Sequence, residues 1–170
     1  MSIFQKNNIG RKRLTARQIL TDPLLFLAFG FGSGLSKKAP GTLGTLAAVP
    51  LYGLFSQLGF VYYSGLLMLV IISGFRICGA AADKLGEHDY GGIVWDEVAG
   101  LLVTLWWAPV TWQSLVLGFV LFRLFDIIKP WPIRWVDRQV SGGFGIMLDD
   151  ILAGLLAALV LAMITGSGWL

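Results

Sequence analysis

The sequence predicts an all-α fold, a polytopic helical integral membrane protein that forms a single domain over residues 1–170 with about five membrane crossings. Of the 170 residues 56% are hydrophobic and only 14% are charged, the mean hydropathy is +0.74, and three long stretches hold almost no charge. Soluble domains typically carry about 45–50% apolar and about 25% charged residues, and a domain this small leaves much of its chain in water. The composition therefore argues against a soluble globule, a disordered chain, a coiled coil and a nucleic-acid-binding module.

The charge-poor stretches place the predicted helices. Residues 42–82 hold one formal charge, and residues 98–122 and 151–170 hold none. A spanning helix needs roughly 20 predominantly apolar residues. The first stretch therefore predicts two helices that meet near Gly59, the second of them running over residues 61–82.

The later stretches predict three more helices. Pro109 stands between tryptophans, which favour the membrane interface, and proline removes a backbone donor. We therefore expect a short helix at about 97–108 and a return helix at about 112–128, and the last stretch predicts one helix over about 150–165. An earlier apolar segment, residues 23–29, is too short to cross and is predicted to be re-entrant or interfacial.

The basic residues predict which end of the bundle faces the cytoplasm. Residues 1–20 form an arm with five basic residues and no acid, which favours a cytoplasmic anchor on anionic lipid. With five crossings, the connections 83–96 and 129–149 lie on the same side as this arm, and the opposite turns contain no lysine or arginine. Nine of the ten acidic residues lie between Asp83 and Asp150, on that inner side. An active site at the cytoplasmic face explains this distribution.

Two twelve-residue segments, 91–102 and 145–156, resemble each other and align without gaps. The alignment superposes Asp96 on Asp150 and places a glycine four residues after each aspartate, on the same helix face. Each segment is predicted to be a glycine-bearing loop that feeds a membrane helix with adjacent carboxylates in its first turn. The glycines would let the two helices pack closely.

These paired acids predict a divalent-cation site. Helix capping and the helix dipole account for one acid at a helix start, whereas each predicted start carries two; capping alone is the alternative. One cysteine, Cys78, and one histidine exclude a Cys-rich or multi-histidine site, and hard carboxylate oxygens suit Mg²⁺ or a similar hard ion. The four converging carboxylates are Asp96, Glu97, Asp149 and Asp150.

A third motif carries ionisable groups near the inner end of a predicted crossing. Arg123 and Asp126 are three positions apart and share a helix face. At that depth such groups either serve a site or form a private ion pair, and both interpretations stay open. Lys129 and Pro130 end the helix, and residues 131–138 then place two tryptophans beside two arginines, which suits a position along phospholipid headgroups.

Two weaker signals lie at the same inner face. Residues 31–45 form a loop rich in glycine, serine and threonine that runs into the first crossing. Helix N-terminal amides approached through glycines bind anions, although helix packing is an alternative use of these glycines. His88, the single histidine, is predicted to be a loop residue at the rim of the site, with acid–base duty as the alternative.

Carboxylates, cations and an anion-binding loop at a lipid surface predict phosphate chemistry on an amphiphile. A Cys-x5-Arg nucleophile is excluded because Lys84 follows Cys78 by six positions, a histidine nucleophile needs a second histidine, and the Asp-x-Asp motif is absent. What remains is a metal-activated water that attacks phosphorus in line, with cations stabilising the developing charge.

Taken together, these motifs resemble the bacterial phosphatidylglycerophosphatase A family over about residues 24–156. The five motifs, in order, are residues 31–35, 40–45, 92–97, 122–137 and 142–154. The resemblance implies a multi-pass enzyme of the bacterial inner membrane that hydrolyses phosphatidylglycerophosphate to phosphatidylglycerol and phosphate with Mg²⁺, its active site facing the cytoplasm. We expect the phospholipid in the bilayer to be its partner, with no nucleic acid and no protein partner required.

The resemblance also carries a set of motif positions onto this chain: Pro40, Gly41, Thr42, Gly44, Asp96, Glu97, Arg123, Asp126, Lys129, Pro130, Asp149 and Asp150. We expect the catalytic residues to be Asp96, Glu97, Asp126 and Asp150, with Asp149 as a further ligand of one or two Mg²⁺ ions. The residues expected to bind the phosphate are Gly41, Thr42, Gly44, Thr45, Arg123, Lys129 and Arg134. The glycerol and the diester phosphate are expected to face the interfacial segment 130–138.

The sequence leaves rival functions open. A CDP-alcohol phosphotransferase also uses metal-bound aspartates at this face, but its Asp-Gly-x2-Ala-Arg-x8-Gly-x3-Asp-x3-Asp arrangement is absent. A small membrane transporter would carry ionisable groups near the middle of the bilayer, whereas here they gather at one edge. A purely structural membrane protein would leave the paired acids unexplained.

Overall fold

The computed structural model describes residues 14–87 and 90–166, and the regular structure in these ranges is entirely helical. The α-helices are α1 (Ala16–Thr21), α2 (Pro23–Ala28), α3 (Pro40–Phe55), α4 (Phe60–Leu85), α5 (Trp95–Thr104), α6 (Trp112–Ile128), α7 (Ile133–Gln139) and α8 (Gly142–Gly166). The all-α prediction is thereby confirmed for the described part of the chain. Most of the predicted basic arm, residues 1–13, and the predicted rim residue His88 lie outside the described residues.

Two short helices precede the bundle. Thr15 caps α1 through a capping box with Gln18, and the Asp22 carboxylate accepts from the first amides of α2. Asp22 also pairs with Lys84 in the last turn of α4, at 2.6 Å. The Lys84 hydrogen bond holds the pKa of Asp22 below its usual value. The predicted apolar segment 23–29 is thus a six-residue helix tied to the end of α4, and it is too short to cross a membrane.

The remaining long helices form an up-and-down bundle around α5. The chain runs away from the acidic end in α3, α5 and α8 and returns in α4 and α6. α5 contacts α3, α4, α6 and α8, and every residue from Val98 to Thr104 is buried. A helix that is apolar on all sides has to be enclosed by other helices or by lipid. The sequence of α5 therefore places it at the centre of the bundle.

Glycines bring α5 and α8 into close contact. A Cβ added to Gly154 would lie 2.5 Å from the Gly100 carbonyl oxygen, and one added to Gly100 would overlap the Phe122 ring. The Thr104 hydroxyl, one turn further along α5, lies 3.3 Å from the Gly154 carbonyl oxygen. The prediction that the glycine following each aspartate lets these two helices approach is confirmed.

Two helices in the described part of the chain, α4 and α8, are long and apolar enough to cross a membrane. α3, α5 and α6 have 16, 10 and 17 residues, below the length of about 20 that a single spanning helix needs. Large apolar side chains point outward along the bundle, among them Met68, Leu69 and Ile72 on α4 and Val116 and Val120 on α6. Such an exposed apolar surface suits lipid contact. These features support a membrane protein. By length and composition two of the described helices qualify as spanning, whereas five crossings were expected.

One helix start differs from the prediction. Asp96 and Glu97 do lie in the first turn of α5, but α8 begins at Gly142, so Asp149 and Asp150 lie two turns inside it. The expectation that α8 begins at Asp150 is wrong. Glycines lower helix propensity, yet Gly143 sits so close to α4 that an added Cβ would overlap the Phe75 carbonyl oxygen. Packing against α4 therefore outweighs the low helix propensity of these glycines. Because Asp149 and Asp150 lie inside α8 and not at its start, helix capping cannot explain them.

The glycine contact between α5 and α8 yields a first test. Gly154→Val is expected to lower the thermal unfolding midpoint in detergent, because overpacking a core costs about 1–3 kcal/mol and each kcal/mol shifts the midpoint by roughly 2–4 °C at this chain length. Circular dichroism during heating measures it. Gly65→Val on α4 is the matched control, since nothing lies within 4 Å of its added Cβ. Equal losses in both variants would contradict the packing role of Gly154.

Candidate active site

A cavity of about 150 Å³ opens at the acidic end of the bundle. Among the described residues, six acidic side chains and one lysine line it together with small and apolar residues. The full lining is Gly91, Ile93, Asp96, Glu97, Asp126, Lys129, Asp137, Val140, Gly145, Ile146, Asp149 and Asp150. The five predicted metal ligands thus converge on one cavity, although they come from three helices.

Three of these acids approach closely enough to share an ion. Each of Asp96, Glu97 and Asp150 offers a carboxylate oxygen, and the three oxygens lie within 4.8 Å of one another. One oxygen of Glu97 and one of Asp149 are buried and have no hydrogen-bond partner within the part of the chain that the structure describes. Buried carboxylate oxygens are costly unless they are paired or bind a metal. The donor set is all hard oxygen, which fits a hard divalent cation.

The start of α5, which carries two of the acids, is fixed by contacts on both sides. The Trp95 indole donates to the Val70 carbonyl oxygen of α4 at 3.2 Å. The Val94 amide donates to the Ala28 carbonyl oxygen of α2 at 2.8 Å. Because these bonds come from different helices, they orient the first turn of α5 toward α8.

Arg123 lies behind the acids and is absent from the cavity lining. Its Nη1 atom lies 2.7 Å from Asp126 and 3.9 Å from Glu97, and it reaches the Thr45 hydroxyl at 3.5 Å. Arg123 therefore offsets the charge of two acids and holds their carboxylates, so its ion pair belongs to the acid cluster. Its contact with phosphate stays a prediction.

The glycines at the start of α3 allow close packing beside the site. A Cβ on Gly41 would overlap the Glu97 carboxylate, and one on Gly44 would lie 2.5 Å from the Val94 side chain. The buried Thr45 hydroxyl donates to the Gly41 carbonyl oxygen.

No side chain among the described residues caps α3, whose first residue is Pro40, so its first amides lack a capping acceptor. Phosphate binding by Gly41, Thr42, Gly44 and Thr45 stays a prediction, since none of them lines the cavity.

Lys129 ends α6 and reaches back into the cavity. Its backbone is left-handed, with φ of 46°, and its ammonium donates to Asp149 at 2.6 Å and to Asp137 of α7. Burial by itself would lower the pKa of Lys129, but its hydrogen bonds to these two carboxylates raise that pKa above its usual value. Lys129 is therefore a fixed positive charge inside an acidic cavity.

Asp137 was not among the residues expected to form the site. It lies in the fourth sequence motif, but nothing in its spacing distinguishes it from an ordinary exposed acid of an amphipathic segment. Only the turn of the chain between α6 and α7 brings it to Lys129. Arg134, which was expected to bind phosphate, does not line the cavity; it lies on a neighbouring groove.

Several known proteins are similar in sequence to this chain. The family model described as Phosphatidylglycerophosphatase A matches residues 26–165. The chain is 48% identical to phosphatidylglycerophosphatase A of Escherichia coli (strain K12), over 91% of this chain and 90% of that protein. It is 44% identical to phosphatidylglycerophosphatase A of Haemophilus influenzae, over 83% and 88%.

A more distant relative has a different name. The chain is 36% identical to a putative phosphatidylinositol-3-phosphatase of Bacteroides thetaiotaomicron, over 82% of this chain and 91% of that protein. No solved structure is significantly similar to the chain. The match of the family model over most of the sequence and the two relatives above 40% identity establish that this chain belongs to the phosphatidylglycerophosphatase A family.

Proposed function

We propose that this protein is a lipid phosphatase that hydrolyses phosphatidylglycerophosphate to phosphatidylglycerol and inorganic phosphate, with Mg²⁺, at the cytoplasmic face of the bacterial inner membrane. The observation that carries the proposal is the convergence of Asp96, Glu97 and Asp150 at one end of an apolar helical bundle. The names of the two most similar relatives described above supply the substrate.

The proposed topology has five crossings, made by α3, α4, α5, α6 and α8. α5 is about 15 Å long and covers only part of the bilayer, and the turn that follows it carries Trp106 and Trp107, which favour the opposite interface. The connections at that opposite end, residues 56–59 and 105–111, contain no lysine or arginine. This asymmetry supports a cytoplasmic position for the acidic end.

Asp96, Glu97 and Asp150 would hold the Mg²⁺, with Asp126 and Asp149 beside them. The bound ion would supply a Lewis acid for a phosphate oxygen and lower the pKa of a water molecule. Arg123 holds the Glu97 and Asp126 carboxylates in place. Lys129 is the cation that lines the cavity, and a hydrogen bond from its ammonium would bind a non-bridging phosphate oxygen.

The reaction adds the oxygen of water to phosphorus and breaks the bond to the glycerol oxygen. One proton of the water goes to that leaving oxygen, which yields the alcohol of phosphatidylglycerol, and the phosphate is released. Lys129 stabilises the negative charge on the equatorial oxygens during this displacement. The acyl chains stay in the bilayer because the cavity opens at the helix ends.

The distribution of acids also bears on the rival functions. A transporter needs ionisable groups along a passage, whereas the acids of the cavity gather at one end of the bundle. A different lipid monoester, such as a phosphoinositide, is a second candidate substrate, favoured by the name of the 36% identical relative. A panel of lipid phosphates in the same assay separates the two substrates by their kcat/KM values.

The acid cluster predicts a loss of activity without a loss of fold. Asp150→Asn is expected to lower phosphate release from phosphatidylglycerophosphate in detergent at least about 100-fold, because it removes a charged ligand at the centre of the cluster. Asp83→Asn, at an exposed acid of α4, is the matched control and should keep full activity. Unchanged thermal unfolding would verify the fold. Retained phosphate release by the Asp150 variant would reject the cluster as the active site.

The metal prediction has its own experiment. EDTA is expected to stop phosphate release by the native protein, and excess Mg²⁺ should restore it, because hard oxygen ligands bind this ion reversibly. Ca²⁺ should restore much less activity, since its longer metal–oxygen distances polarise a bound oxygen less than those of Mg²⁺. Activity that persists after EDTA treatment and dialysis would contradict a dissociable divalent cation.

A further inference from the structure

A second depression lies beside the acid cavity, along α7. Its volume is about 570 Å³, and its lining includes Lys129, Trp131, Arg134, Trp135 and Arg138. Lys129 also lines the acid cavity. The two spaces are therefore neighbours that share Lys129, and we call the second one the α7 groove.

The α7 groove carries positive charge that no acid in the described part of the chain neutralises. Arg134 makes one long hydrogen bond, to the Ile128 carbonyl oxygen at 3.4 Å. Neither Arg134 nor Arg138 forms an ion pair with any residue that the structure describes. The two are four positions apart and so lie on one face of α7. By contrast, the cations at the acid cavity, Arg123 and Lys129, are both paired with carboxylates.

The packing of α7 holds this charged face toward the membrane boundary. Ile133 and Val136 are buried against the bundle, so the opposite side of the helix faces outward. Trp131 and Trp135 lie on that outward side, with 83% and 58% of their surface exposed. Exposed tryptophans beside arginines are typical of the headgroup layer of a membrane. The groove therefore lies where the polar part of a phospholipid would be.

We propose that the α7 groove binds the phosphodiester of the lipid substrate through Arg134 and Arg138 while its terminal phosphate lies in the acid cavity. This inference rests on the proposed function and deepens it: the two arginines select lipids that carry a second phosphate. Guanidinium groups match the oxygens of a phosphodiester. The acid cavity, with its six carboxylates, offers this second anion no comparable partner.

The proposal changes the role expected for Arg134. The sequence-based expectation placed it on the phosphate that is cleaved, together with Lys129. Because Arg134 lines the groove and not the acid cavity, its contact is with the phosphate that stays on the product. A lipid with one phosphate would reach Lys129 and leave both arginines without a partner.

The test is steady-state hydrolysis of phosphatidylglycerophosphate in neutral detergent micelles by the full-length protein with Mg²⁺. The Arg134→Gln/Arg138→Gln variant is expected to raise KM about tenfold or more, because two charge-assisted hydrogen bonds to the diester are lost, and to keep kcat within about twofold. The inhibition constant of inorganic phosphate, which occupies only the acid cavity, should stay unchanged. An unchanged inhibition constant also verifies that the variant is folded.

A variant with the same loss of charge elsewhere is the control. Lys37→Gln/Lys38→Gln removes two exposed positive charges that line neither space, and it should keep the native KM. An unchanged KM in the arginine variant would overturn the proposal. A KM that rises equally in the lysine control would also overturn it, because the effect would then come from general attraction for lipid. A phosphate inhibition constant that rises together with KM in the arginine variant would overturn it as well. Absence of phosphate release by the native protein would instead refute the proposed function.

Discussion

The repulsion among buried carboxylates is the constraint on which this structure depends. Six acidic side chains line the cavity at one end of the bundle, and the cations in contact with them are Lys129 and Arg123. If all six are ionised, these two cations leave a net charge of −4, and Asp96 and Asp150 form no ion pair with any residue that the structure describes. Coulomb energies between such charges grow as water is excluded. The cluster could therefore hold an added cation, which Asp96, Glu97 and Asp150 are close enough to share. One buried oxygen of Glu97 and one of Asp149 also lack a hydrogen-bond partner among the described residues.

The rest of the fold keeps these acids together by close helix packing. Because Gly41 has no side chain, the start of α3 lies in contact with Glu97. Gly100 and Gly154 in the same way let α5 pack directly against α8. In a membrane, lipid is as apolar as the helix surface, so association depends on such close contact and on hydrogen bonds between helices. The short central helix α5 supplies two acids and is enclosed by four neighbours. A larger residue at any of these glycines would therefore displace the helices that carry the acids of the cavity.

Charge is divided between two neighbouring spaces. The acid cavity concentrates carboxylates, and the α7 groove beside it presents arginines that pair with no acid among residues 14–87 and 90–166. Lys129 lies between them and is held by carboxylates from α7 and α8. A substrate with two phosphates separated by a glycerol would match this division, one phosphate near the metal ligands and the other near the guanidinium groups.

Hydropathy and charge in the sequence were sufficient to predict an all-helical protein and its long helices, within a few residues at most ends, but not α1, which lies in the expected basic arm. They also identified four of the six acids that line the cavity, because adjacent carboxylates beside apolar stretches are unusual enough to indicate a site. Asp126 was expected there only with the family resemblance, and Asp137 was not expected. The start of α8 could not be predicted: its glycines weaken a helix in isolation, and only contact with α4 makes residues 142–149 helical.

The sequence by itself thus determined the long helices and the paired acids of the site, since both depend on local composition and spacing. The tertiary structure decided which residues meet. It placed Arg123 behind the acids, brought Asp137 to Lys129, and moved Arg134 out of the cavity into the groove. These positions depend on contacts between helices that are far apart in the chain. A local sequence pattern does not specify which distant residues come into contact.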